Sequence, residues 1–343
     1  MTSRDPLEDL RRIVFLLDRR REPEYRAKAF LGAARTVAER GPAEIAARAA
    51  AGTLQELPGI GEATAAVISE SLRGEVPAYL AKLEPGSDAP LVAGGEAMRA
   101  ALRGDCHVHS DWSDGGATIE EMARTAIALG HDYVVLTDHS PRLTVARGLT
   151  KERLLDQLDV VARLNEELAP FRILTGIECD ILLDGSLDQE PAMLERLDLV
   201  VGSVHSKLRM PSEEMTPRMV AAVANPLLDI LGHCTGRLLI GRAGKGRPES
   251  EFDAEIVFEA CRTFGVAVEI NSRPERLDPP MRLLSLAVEM GCTFSIDTDA
   301  HATGQLDWQQ YGCARAEAAG VTPDRVVNTR TADGLKEWTA ART

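Results

Sequence analysis

Six of the seven histidines in this chain, His107, His109, His139, His205, His233 and His301, sit at or just past the C-terminal end of a short β-branched run. The seventh, His131, follows Gly130 in a helix-to-strand turn and reads as a structural residue. A single strand-end histidine is most often a hydrogen-bonded rim residue, but six in equivalent positions are not explained that way. Carboxylates share the pattern. Glu178 ends ILTGIECD, Asp299 stands two residues before His301 in FSIDTDAH, and Asp114 lies in DWSDGG, just after the H-x-H of His107 and His109. Alternate side chains of a strand share one face, so both histidines of that H-x-H can reach one point.

This placement constrains the fold. Seven strands are predicted, near Gly104–His109, Tyr133–Thr137, Ile173–Cys179, Leu199–Val204, Leu228–Gly232, Val266–Ile270 and Thr293–Ile296. Between them lie helical stretches at Ile119–Leu129, Lys151–Leu168, Ala192–Arg196, Phe252–Thr263 and Pro280–Met290, and a closing helix at Ala332–Ala341. Strands alternating with helices imply βα units and a parallel sheet. Strands lie ~4.8 Å apart, so seven in an open sheet would spread their ends over roughly 29 Å. Metal–nitrogen bonds are about 2 Å, and cooperating metals sit about 4 Å apart. Ligands from six strand ends converge only if the sheet closes. The expected fold is a small α/β barrel with its site at the C-terminal strand ends.

Residues 1–84 read differently. Pro6–Arg21, Tyr25–Ala38, Pro42–Ala51 and Glu62–Arg73 are rich in Ala, Leu, Arg and Glu with apolar residues at helical spacing. A Pro/Gly/Ala stretch follows, so the expected organisation is a helical region at 1–84, a linker at 85–100 and the barrel at 101–343. No apolar run approaches the roughly 18 residues of a membrane span. The N-terminal segment lacks the apolar core of a signal peptide. A soluble, cytoplasmic protein with no membrane partner is expected. The six cysteines form no C-x-x-C pair and read as reduced thiols. The net charge of −14 argues against a protein held to nucleic acid by bulk electrostatics, although it leaves room for one that meets DNA only at a strand end.

Nine candidate ligands result: His107, His109, Asp114, His139, Glu178, His205, His233, Asp299 and His301. At three or four protein ligands per ion, two or three metals follow. Imidazole with carboxylate suits Zn, Mn or Fe. Such sites most often hydrolyse phosphate esters, because the metals generate a hydroxide near neutral pH, clamp phosphoryl oxygens and neutralise the leaving oxygen. Cationic side chains in the barrel loops that could hold a phosphate are Arg142, Lys207, Arg237, Arg273 and Arg276, the last two directly after a strand end. Cys106, Cys179 and Cys234 each adjoin a candidate ligand and read as core thiols facing the other way.

The motifs DCHVHSDWSDG, TDHS, GIECDI, GSVHS, LGHCTGR, EINSRPERLD and DTDAH together resemble the PHP (polymerase and histidinol phosphatase) family, most of all its members at the C-terminus of bacterial X-family DNA polymerases. The resemblance implies a distorted seven-stranded TIM-like barrel and three metals. It also implies that all nine candidate residues are ligands, with Glu178 bridging, and that the chain is a Mn- or Zn-dependent phosphoesterase. YRAKAFLGAARTV and LPGIGEATAAVI resemble the small helical domain of the same polymerases, the second as a helix-hairpin-helix. There Gly59, Ile60 and Gly61 would offer N–H groups to a DNA phosphate. Two features depart from those polymerases. The polymerase core is absent between the two regions, and the helix after the hairpin, EATAAVISESL, lacks the lyase lysine. The expected function is hydrolysis at DNA 3′ ends, as 3′–5′ exonuclease or 3′-phosphatase, with neither polymerase nor lyase activity. The alternative is a small-molecule phosphatase whose helical region serves oligomerisation or docking. A non-catalytic DNA-binding scaffold fits poorly with a complete ligand set.

Overall fold

A computed structural model describes residues 4–240 and 245–342, so the outer limits of the expected 1–84 and 101–343 regions lie outside it. The chain divides into two compact units, Met1–Pro90 with Thr303–Gln305, and Leu91–Ala302 with Leu306–Thr343.

The first unit carries helices α1 (Pro6–Arg19), α2 (Glu24–Ala51), α3 (Glu62–Leu72) and α4 (Ala78–Leu83). α1 starts where the sequence chemistry requires: Asp5 accepts from Leu7 N–H, and Pro6, which has no N–H to lose, takes the first helical position. α2 merges two predicted helices across a break at Gly41, whose φ of 77° precedes Pro42. Leu10, Ile13, Leu17, Phe30, Ile45 and Ile68 fill the core between these helices.

The second unit holds α5 (Glu96–Ala101), β1 (Gly104–Val108), α6 (Ile119–Ala128), β2 (Tyr133–Leu136), α7 (Lys151–Glu167) and β3 (Arg172–Asp180). It continues with α8 (Pro191–Leu194), β4 (Leu199–Ser203), α9 (Ser212–Val223), β5 (Ile230–Leu231), α10 (Ala254–Phe264) and β6 (Ala267–Asn271), and ends with α11 (Met281–Glu289), β7 (Phe294–Asp297), α12 (Gln309–Ala318) and α13 (Ala332–Ala340). The strands pair in chain order, all parallel. A bridge between Val108 and Ala300, with His109 N–H donating to Ala300 O at 2.9 Å, draws the edges together into a nearly closed barrel. The strands are buried on both faces, as parallel strands sheathed in helices must be. Tyr133, Val135, Leu174, Val201, Ile230 and Ala267 form one cluster. The alternate residues Val134, Leu136, Ile177, Val200 and Val268 pack with residues of the surrounding helices. Glu178 continues the Leu174 face and Glu269 the Ala267 face, so both stand inside the barrel above its apolar floor.

All seven predicted strands form. The stretch predicted as a linker, 85–100, carries contacts of its own. Arg12 reaches Glu84 and Ser87, Leu91 N–H donates to Gln310 Oε1 at 3.0 Å, and residues 96–101 are helical with Met98 buried. Two helices escaped the pattern. α9 carries Pro217 inside it, which reads as a helix breaker although Met215, Met219, Ala222 and Val223 share one buried face, and α12 is rich in Ala and Gly and displays no clear apolar stripe.

One group in the helical unit works against stability. The Asp18 carboxyl is pushed up to about 7 by burial, with a smaller contribution from Glu24, and its Oδ2 makes no hydrogen bond. The unfolded chain releases this proton near its ordinary value while the folded chain keeps it, so the penalty grows as pH rises through that window and is complete above pH 7. Asp18→Asn is expected to stabilise the full chain by about 1–2 kcal/mol at pH 8 after allowance for solvent screening, and to change nothing below about pH 4. Thermal melts at the two pH values check this, and equal melting temperatures at pH 8 would refute it.

Candidate metal centre

Six of the seven strand ends deliver side chains to the same point, β1 and β7 two each. Glu178, wholly buried at the end of β3, occupies the middle. Its Oε2 lies 2.9 Å from His139 Nδ1, 3.4 Å from His107 Nε2 and 3.6 Å from His109 Nε2. Its Oε1 lies 2.9 Å from His233 Nε2 and 3.2 Å from His205 Nε2. One carboxylate therefore faces imidazoles from β1, β2, β4 and β5, divided between its two oxygens. Asp299 Oδ1 is 3.5 Å from both His109 Nε2 and His301 Nδ1. Asp114 Oδ1 is 3.4 Å from His139 Nε2 and 3.3 Å from His301 Nε2. Asp299 has a φ of 53°, a left-handed backbone that an aspartate rarely adopts, and it turns this carboxylate back towards the histidines.

The cluster has a floor and a mouth. The side chains of His107 and His109 are 0% exposed, whereas His301 is 19% and Asp114 36% exposed. Burial pushes Glu178 up, but the attraction of His205, His107 and His139 outweighs it and holds the carboxyl well below its usual range. Asp299 is likewise held down against burial, by His109, Arg276 and Arg273. Burial, then His301 and His139, lower His109 to about 3. Against burial, Glu178 with Asp180 pushes His205 up to about 9, and Glu269 with Glu178 pushes His107 well above its ordinary value, so a divalent cation would displace protons from these two rings.

The donor set suits metal. Three overlapping groups have ligand atoms close enough to share an ion: His109 with Asp114, His139 and His301; His107 with His109 and Asp299; and His139 with Glu178 and His205. His233 joins through Glu178. Buried ring nitrogens of His107, His109, His139, His205 and His233, and Glu178 Oε2, make no hydrogen bond. Unsatisfied buried polar atoms are costly, and so many converging on one spot fit coordination to cations.

Arg273 and Arg276 reach this cluster. Arg276 Nε lies 3.1 Å from Asp299 Oδ2, and its buried Nη1 makes no hydrogen bond. Arg273 Nη1 donates to Asp299 O at 2.9 Å and lies 3.0 Å from His301 Nδ1. Arg237 stands apart: it donates to Arg276 O at 2.9 Å and to Leu277 O, bracing the loop that carries the other two. Arg142 and Lys207 are exposed. In the helical unit the hairpin offers fewer donors than expected. Ile60 is buried and its N–H donates to Leu57 O at 3.3 Å, while Gly61 N–H donates to Thr64 Oγ1 at 2.9 Å. That leaves the first-turn N–H groups of α3, which have no partner within the helix.

Behind the histidines stands a shell that the sequence did not announce. Glu269 Oε1 lies 2.6 Å from His107 Nδ1, and its Oε2 accepts from His233 N–H at 2.5 Å. Asn271 donates to both Glu269 and Asp299. Asp180 accepts from His205 N–H at 3.0 Å. Asp138 accepts from Ser110, Ser113 and Gln157. The available signal was a charged residue inside an apolar strand, as in VAVEIN.

All six cysteines are buried and unpaired. No helix among the described residues is long and apolar enough to cross a membrane.

The family model of the PHP domain matches residues 105–273. A DNA polymerase/3′–5′ exonuclease PolX of Bacillus subtilis (strain 168) is 41% identical over 229 residues, 67% of this chain and 39% of that protein, so the chain spans about two fifths of that relative. A protein of Thermoanaerobacter sp. (strain X514) named "Probable phosphatase" is 31% identical over 237 residues, 66% of this chain and 89% of that one. Among solved structures, a histidinol phosphate phosphatase of Lactococcus lactis subsp. lactis Il1403, complexed with zinc, L-histidinol and phosphate, aligns with a TM-score of 0.49 at 20% identity, covering 64% of this chain and 95% of that one. With a relative matched over nearly its whole length and the family model spanning five of the six clustered histidines, this chain belongs to the PHP-domain family and is a phosphoester hydrolase.

Proposed function

We propose that the chain hydrolyses phosphoesters at DNA 3′ ends, as a 3′–5′ exonuclease or 3′-phosphatase, without polymerase or lyase activity. The observation that carries the reading is the single carboxylate of Glu178 shared among five imidazoles, beside two arginines whose fork fits a phosphoryl group. His107, His109, Asp114, His139, Glu178, His205, His233, Asp299 and His301 would hold two or three divalent ions, with Glu178 between them. Such ions supply Lewis acidity toward phosphoryl oxygens and a nucleophile at neutral pH.

The chain's own residues do the rest. Arg276, with a buried Nη1 that lacks a partner, would take a non-bridging phosphoryl oxygen, and Arg273 would hold the next. Arg237 fixes the backbone of their loop, so neither arginine has to reorganise when the phosphate arrives. Glu269 orients the His107 ring through Nδ1. Substrate would enter at the exposed edge formed by Asp114 and His301.

DNA is favoured as substrate by the resemblance of the helical unit to a helix-hairpin-helix and by the 41% identity to a polymerase/exonuclease. The absence of a lysine from α3 supports the lack of lyase activity. The net charge of −14 and the acidic Glu62 in the first turn of α3 favour the second reading, a small-molecule phosphatase.

A denaturing gel of 5′-labelled gapped DNA, ending in a 3′-hydroxyl or a 3′-phosphate and incubated with Mn-loaded protein, decides between them. Shortened products or loss of the 3′-phosphate support the DNA reading. Intact DNA with p-nitrophenyl phosphate still hydrolysed supports the other. His107→Ala is expected to lower turnover of either substrate by more than about 100-fold, beyond the usual cost of losing an outer-shell partner, with circular dichroism unchanged. Unchanged turnover would remove His107 from the site. Glu178→Gln should lose about one bound ion or more per chain by elemental analysis after gel filtration, since a shared carboxylate serves more than one metal. Full stoichiometry would refute that role. Gly59 has a φ of 76°, and a Cβ there would sit 3.3 Å from Gly32 O. Gly59→Ala should therefore distort the hairpin and lower activity on DNA about tenfold while sparing p-nitrophenyl phosphate. Equal losses on both would mean the hairpin does not bind DNA.

A further inference from the structure

Beyond β5 and His233 comes an antiparallel pairing, in which Leu238 and Arg247 exchange backbone hydrogen bonds of 2.9 and 2.8 Å. Under it lies a cavity of about 620 Å³ whose lining includes Ser212, Arg237, Arg247, Glu249, Ser250 and Arg282. Each lining element follows the C-terminal end of a strand, the side of the barrel that carries the metal centre. Arg237 joins the two places: it lines the cavity and donates to Arg276 O, while the Arg276 side chain contacts Asp299.

The cavity is lined by three cations, Arg237, Arg247 and Arg282, against two carboxylates, Glu249 and Glu251. Glu249 is taken by Arg282 and, at 3.5 Å, by Arg237. Arg247 is fixed by its Nε, which donates to Gly236 O at 2.6 Å. Its two terminal nitrogens have neither hydrogen bond nor ion pair among the described residues. Burial and then the nearby Arg276 charge hold this guanidinium below its ordinary value, against the smaller opposing pull of Asp278. Ser250 is 6% exposed, is held by its N–H on Thr235 O at 2.8 Å, and its hydroxyl makes no hydrogen bond. A buried hydroxyl without a partner is costly unless a ligand completes it. The helices that begin at Ser212 and Met281 also open on this cavity, with the positive ends of their dipoles towards it.

We propose that this cavity is a second phosphate subsite, in which Arg247 and Ser250 hold the phosphate next to the scissile one along a nucleic-acid strand. The proposal rests on the DNA reading above and narrows it: the preferred substrate carries two phosphates, one at the metal centre and one in this cavity. Phosphate contacts of this kind set register and carry no base information.

The test compares wild type with Arg247→Ala and Ser250→Ala on four substrates: p-nitrophenyl phosphate, thymidine 3′-phosphate, thymidine 3′,5′-bisphosphate and an oligonucleotide ending in a 3′-phosphate. The expected result is a kcat/KM for the bisphosphate about 10- to 100-fold above that for the monophosphate, from one charge-assisted contact. Arg247→Ala should abolish that preference and Ser250→Ala weaken it, with p-nitrophenyl phosphate hydrolysed as by wild type, which also shows that the variants fold. Equal wild-type rates on bisphosphate and monophosphate, or equal losses on bisphosphate and p-nitrophenyl phosphate, would overturn the proposal. An oligonucleotide processed equally by wild type and Arg247→Ala removes the subsite and leaves the DNA reading. An untouched oligonucleotide beside an Arg247-dependent bisphosphate preference keeps the subsite and removes DNA as the substrate.

Discussion

A carboxylate buried to the extent of Glu178 is stable as an ion only if opposite charge surrounds it, because the desolvation cost would otherwise protonate it. Here the surroundings are five imidazoles from four strands, set on both of its oxygens. No two neighbouring strands could supply them. The interaction therefore requires the barrel, and the barrel brings like-charged and polar groups together that would repel if left without a cation. Burial, then His301 and His139, lower His109 to about 3, while Glu178 holds His205 up at about 9 against burial, so a cation would replace protons as the partner of this carboxylate. The fold and the affinity for metal are two aspects of one electrostatic constraint.

The same constraint shapes the layer behind. Buried acids stand behind two of the rings that face Glu178: Glu269 fixes His107 through Nδ1 at 2.6 Å, and Asp180 lies 3.6 Å from His205 Nδ1. These in turn are satisfied by backbone N–H groups, His233 N–H for Glu269 and His205 N–H for Asp180. Asp105 and Asp297 work one layer down. Asp105 accepts from Thr298 and Asp297 from Cys106 N–H and Asn328, which stitches β1 to the segment after β7 where backbone pairing is reduced to one bridge. Burial, with the Asp297 charge beside it, pushes the Asp105 carboxyl above its ordinary range.

Much of this was legible because parallel strands that are buried on both faces read as plain apolar runs, and a charged or imidazole side chain at such a run's end is conspicuous. The seven strands and the convergence of the nine candidate ligands both follow from that signal. What stayed hidden had no such contrast. Glu269 lies within its strand instead of at the end, so its inward direction depends on register with Ala267, which the sequence alone does not supply. α9 has a buried face of Met215, Met219, Ala222 and Val223, but Pro217 within it reads as a helix breaker, and α12 lacks a clean stripe because Ala and Gly contribute little to one. The 85–100 stretch has the composition of a linker, yet the side chains that anchor it, Arg12 and Gln310, lie far away in sequence. Ile60 was a turn residue by its neighbours and a core residue by its own chemistry, and the core prevailed.

A chain with a net charge of −14 that acts on phosphate esters has to solve a local problem, since net charge governs adhesion at long range and not the field inside a cleft. Part of the acidity is internal. Glu178, Asp299, Asp114, Glu269 and Asp180 are spent on histidines and, in the proposed holoenzyme, on metal. The cations are gathered on two short segments, Arg237 to Arg247 after β5 and Arg273 to Arg276 after β6, and Leu239 N–H on Glu275 O links the two loops at 2.6 Å. A phosphate at the mouth therefore meets arginines on one flank, whatever the rest of the surface carries. Long-range attraction is given up, so capture of a polyanion by this chain depends on contacts made at close range. That is the regime in which a second fixed phosphate contact changes the selection of substrate more than an added surface lysine would.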